Sequence, residues 1–66
     1  MDQYQEAVAA VRAFMIADNK PVTMEQAADM IEIAVQTEAM CEKMPFDQAR
    51  KQVLSGIVQQ GGKYVL

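Results

Sequence analysis

Sixty-six residues hold one domain at most, and a chain this short buries only roughly 60% of its unfolded surface. The single cysteine, Cys41, excludes an internal disulfide, and the absence of histidine removes the usual metal-ligand sets and the commonest general base. Six Lys/Arg against nine Asp/Glu give a net charge of −3, without the basic excess of a general nucleic-acid binder, while 52% hydrophobic and 23% charged residues point to a globular chain rather than a disordered one.

The first predicted helix covers about residues 2–17. Tyr4, Ala7, Val8, Val11, Phe14 and Met15 recur in steps that place them on one face. Asp2 and Glu6 lie in the first turn, where the helix dipole favours negative charge. Asp18-Asn19-Lys20-Pro21 then reads as a turn, because proline disfavours helix at the residue before it.

The second helix, predicted over about 23–44, has the clearest start. Thr23-Met24-Glu25-Gln26 is a capping box, in which the Thr23 hydroxyl accepts from the Gln26 backbone and the Gln26 side chain reaches back. Val22 sits just outside as a hydrophobic staple onto Ala27. Glu25, Asp29, Glu32, Gln36 and Lys43 form one polar stripe, but much of the remaining circumference is apolar, so the helix is expected to be covered on two sides. Pro45 is its expected stop. The stretch Thr23–Ile31 resembles the opening helix of a helix-turn-helix motif, but Glu32 stands where a turn former belongs, and Ile33-Ala34-Val35-Gln36 carries the helical pattern on. A recognition helix there would present Glu38 and Glu42 to phosphate.

The third helix is predicted over about 46–60, with Asp47 as N-cap or as an early acidic residue complementing the dipole. Its inward face is Phe46, Ala49, Val53, Leu54 and Ile57. Gly56 interrupts it, through fraying or through close approach of another helix. Gly61-Gly62 is a stop, and the tail 61–66 ends in the apolar Tyr64-Val65-Leu66, which should dock on the domain itself or on a neighbouring chain. The fold class is therefore all-α: a compact three-helix domain with a long central second helix and a short apolar C-terminal tail.

Function is narrowed largely by exclusion. Ser55 and Cys41 have no evident base partner, and Glu38 and Glu42 read as solvated charges, so no catalytic, cofactor or metal residues are assigned. Cys41, beside Met40 and Met44, reads as a buried structural thiol. Asp18-Asn19-Lys20-Pro21 lacks the ligands and glycine of a calcium loop. No apolar run spans a bilayer, and Met1-Asp2-Gln3 opens no secretory signal; with one free thiol, this points to a cytoplasmic protein that does not engage membranes.

The methionines are the unusual feature. Met24, Met30, Met40 and Met44 join Ile31 and Ile33 on the second helix, and with Tyr64 and Leu66 of the tail they make the expected protein-binding surface. Lys43, Arg50 and Lys51 form a weak basic cluster, read as solvated charge. The leading expectation is a non-enzymatic interaction or regulatory module that forms a homodimer through the second helix and acts by occupying an unidentified protein partner. Short acidic helical chains of this kind occur among accessory proteins of bacteria, phages and mobile elements. The alternatives are a dimeric nucleic-acid-binding regulator, which the charge argues against, and an assembly subunit whose tail adds to a neighbour.

Overall fold

Local chemistry sets where each helix of the computed structural model begins and ends; the structure describes the backbone of residues 2–65 and the side chains of residues 2–64. Helix α1 runs Gln3–Ala17, capped by Asp2, whose carboxylate accepts the Gln5 backbone N–H at 2.8 Å. It closes in a Schellman turn: Asn19 takes φ 60, and the Lys20 N–H donates to the Met15 carbonyl at 2.8 Å. Asparagine tolerates the left-handed conformation, so this stop needs no glycine.

Helix α2 runs Met24–Cys41 and begins at the expected capping box, with Gln26 N–H to Thr23 Oγ1 at 3.1 Å and Thr23 N–H to Gln26 Oε1 at 2.9 Å. Val22 is half-buried against the core that contains Ala27, as a staple requires. The helix stops three residues short of the expected Met44. Lys43 adopts φ 52, and the Met44 N–H donates to the Ala39 carbonyl at 3.1 Å, a second Schellman closure. The stop therefore comes from the backbone turn before Pro45.

Helix α3 runs Phe46–Gln60 with Pro45 at the N-cap and no side-chain cap; Asp47 instead lies inside the first turn, the second of its two expected roles. Gly61, at φ 83 and ψ −179, ends the helix in a region essentially open only to glycine. A short 3-10 helix, η1, follows over Gly62–Val65.

The core is one cluster: Ala7, Val8 and Val11 from α1, Ala27, Ile31 and Val35 from α2, and Ala49, Val53, Leu54 and Ile57 from α3. Helix α3 packs on α1, α2 and η1 and contributes the most buried residues. Four hydrogen bonds tie the frame: Gln3 Nε2 to Ser55 Oγ, Arg12 Nε to the Val22 carbonyl, and two from Arg50 to Glu32. The described part of the tail, η1, docks on its own domain, against α1 and α3. Gly56 lies against this tail: a Cβ there would be 2.5 Å from the Tyr64 ring, and its nearest neighbours belong to that side chain rather than to another helix backbone.

Candidate interaction surface on the second helix

Helix α2 carries apolar surface that the fold leaves uncovered, at Met24, Ile33 and Met40. Its buried line is Ala27, Ile31 and Val35, each fully enclosed. Successive helical residues turn by about 100°, which puts Ile33 and Met40 within about 20° of each other on the side away from that line. They are 64% and 78% exposed. Met30 and Thr37 flank them along the same ridge. Met30 is half-buried and also packs on the core, and the exposed Thr37 turns its hydroxyl back to the Ile33 carbonyl at 2.9 Å. Beside the ridge is a shallow depression bordered by Ala34, Val53 and Tyr64.

The residues expected to form one interface are thus divided among several environments. Ile31 belongs to the core and is not presented to a partner. Met44 and Tyr64 are half-buried and packed on the core, although Tyr64 still edges the depression. Met24, 61% exposed, lies on the other side of α2 and lines a separate open groove with Tyr4, Val8 and Arg12. Leu66 lies outside the described residues. Only Met30, Ile33 and Met40 of the original set make a continuous strip. Thr37 and Gln26 complete it, and sequence reasoning omitted both even though the alternating four- and three-residue steps were there to be read.

Cys41 is exposed, contrary to its expected burial. The core line of α2 continues onto the half-buried Glu38 and Ala39, and Cys41 sits about 80° to the side of Ile31 on the final turn. The basic cluster also changes character. Arg50 forms a two-pronged pair with Glu32, Nη1 to Oε1 at 2.6 Å and Nη2 to Oε2 at 2.9 Å, and its guanidinium lies 5.5 Å from the Phe46 ring centre. The hydrogen bond to Glu32 raises the Arg50 pKa above its ordinary value, outweighing the opposing desolvation. Arg50 is consequently a clamp between α2 and α3 rather than a solvated cation, and only Lys43 and Lys51 of that cluster are exposed. No described helix is long and apolar enough to cross a membrane.

No protein-family model matches the chain, and comparison with curated proteins and with solved structures gives no significant match.

Proposed function

We propose that this chain is a small non-enzymatic protein–protein interaction module that acts by occupancy, with the outward ridge of α2 as its docking surface. The observation behind this reading is the exposure of Ile33 and Met40, aligned one above the other on the side of α2 turned away from the core. Burying a side chain of this kind is worth about 1.5–3 kcal/mol, so a partner that covers both gains a useful share of its binding free energy from two residues. Methionine on such a strip adapts its shape to what it meets. The nucleic-acid reading is the weaker one, because Arg50 is committed to Glu32 and the overall charge is negative.

Methionine oxidation by dilute peroxide, read by mass spectrometry, tests the proposal, with Met24 as an internal reference on a different face. In the dilute purified chain, Met40 should oxidise about as readily as Met24. Inside the cells that make the protein, Met40 should be protected several-fold relative to Met24. An unchanged ratio between the two conditions would mean that nothing docks on the ridge.

A further inference from the structure

We infer that the outward ridge of α2 pairs with the same ridge on a second copy of this chain, the two helices running antiparallel about a two-fold axis that crosses the ridge between Ile33 and Thr37. This rests on the docking-surface reading and names its occupant.

Gln26, Met30, Ile33, Thr37 and Met40 follow steps of four, three, four and three, the spacing of a seam between paired helices. They run along about 21 Å of α2. The seam is apolar at Met30, Ile33 and Met40, and the Thr37 hydroxyl already donates within its own helix, so covering it orphans no donor. Ala34 lines one flank, small enough to let a second helix approach. On the other flank lie Asp29 near the start of the ridge and Gln36 at its middle, and Lys43 follows a further seven residues on, in the turn beyond the helix end; all three are exposed.

That charge order decides the direction. A parallel two-fold pair sets this flank against the opposite flank of the other copy, Asp29 near Ala34 and Gln36 near Cys41, so no charge pair forms. An antiparallel pair sets Asp29 of each copy beside Lys43 of the other, twice over by symmetry, with Gln36 facing Gln36 between them. In the same register Met30 meets Met40 of the second copy and Ile33 meets its Thr37, so every apolar seam residue is covered. Opposed helix dipoles favour the same direction. A ridge this short fits a reversible dimer rather than a permanent one.

The test is sedimentation equilibrium at low salt on the natural chain, Asp29→Lys, Lys43→Asp and the double variant, with helicity and melting temperature of dilute samples confirming that each folds. Aspartate tolerates the left-handed backbone at position 43. The natural chain should dimerise in the micromolar range. Each single reversal turns two attractive pairs repulsive and should weaken the dimer about tenfold, and the double variant should recover it to within about twofold. A natural chain that stays monomeric, single reversals without effect, or a double variant no better than the singles would each overturn the inference. A monomer whose Met40 is still protected in cells rules out the second copy yet leaves the docking surface standing; a monomer with Met40 unprotected removes both.

Discussion

Ile31→Ala should leave the chain largely unfolded at room temperature, while Ile33→Ala, two residues away, should barely change its stability. Ile31 is fully enclosed and is among the largest side chains in the core. Removing that much buried volume costs about 2–5 kcal/mol, and a domain of this size rarely holds more than about 3–5 kcal/mol in total. The surrounding core is built mainly from alanine and valine, which cannot swing into the space, so the upper part of the range applies. Ile33 stands in solvent, where such a change stays within about 0.5 kcal/mol. Urea denaturation of dilute samples distinguishes the two. Equal losses would mean that the inner face of α2 is wrongly placed.

Gly62→Ala should destabilise the fold by about 1–3 kcal/mol and release the C-terminal turn. A Cβ at Gly62 would lie 2.6 Å from Phe14 Cβ, 2.8 Å from the Ala10 carbonyl oxygen and 2.8 Å from Val11 Cα. Two of these atoms are backbone in the interior of α1 and cannot yield, so η1 must lift, taking Tyr64 off Gly56. Gly56→Ala makes an instructive contrast. The three atoms nearest its Cβ all belong to the Tyr64 ring, which can tilt away, and the gain in helix propensity of about 1 kcal/mol offsets the strain. Thermal melts should therefore rank Gly62→Ala well below Gly56→Ala, and trypsin should cut after Lys63 faster in the former. A Gly62→Ala protein that melts like the natural chain would show that the tail is not held against α1.

These pairs also show what the sequence could and could not disclose. The caps of α1 and α2 were legible because Asp2 and the Thr23–Gln26 box satisfy backbone donors only a few residues away. The ends were less so: Lys43 has no composition signal for a left-handed turn, and the pattern ran on to Pro45. Periodicity gives the angle of a residue around its helix, but not which side is covered. In the first half of α2, apolar on most sides, Ile31 and Ile33 were therefore indistinguishable. The Arg50–Glu32 clamp joins residues on different helices, and Cys41 is exposed because the core line drifts past it on the last turn; both follow from tertiary packing. Gly56 stands out in the sequence, but its neighbour, the folded-back Tyr64, is visible only in three dimensions.

The central claim is that the uncovered ridge of α2 is a surface for pairing with its own kind, and absolute molar mass by light scattering at low and high concentration tests it most directly. A weight-average mass rising from 7.3 kDa toward twice that value as concentration increases is the predicted result. A constant 7.3 kDa at every concentration would contradict it.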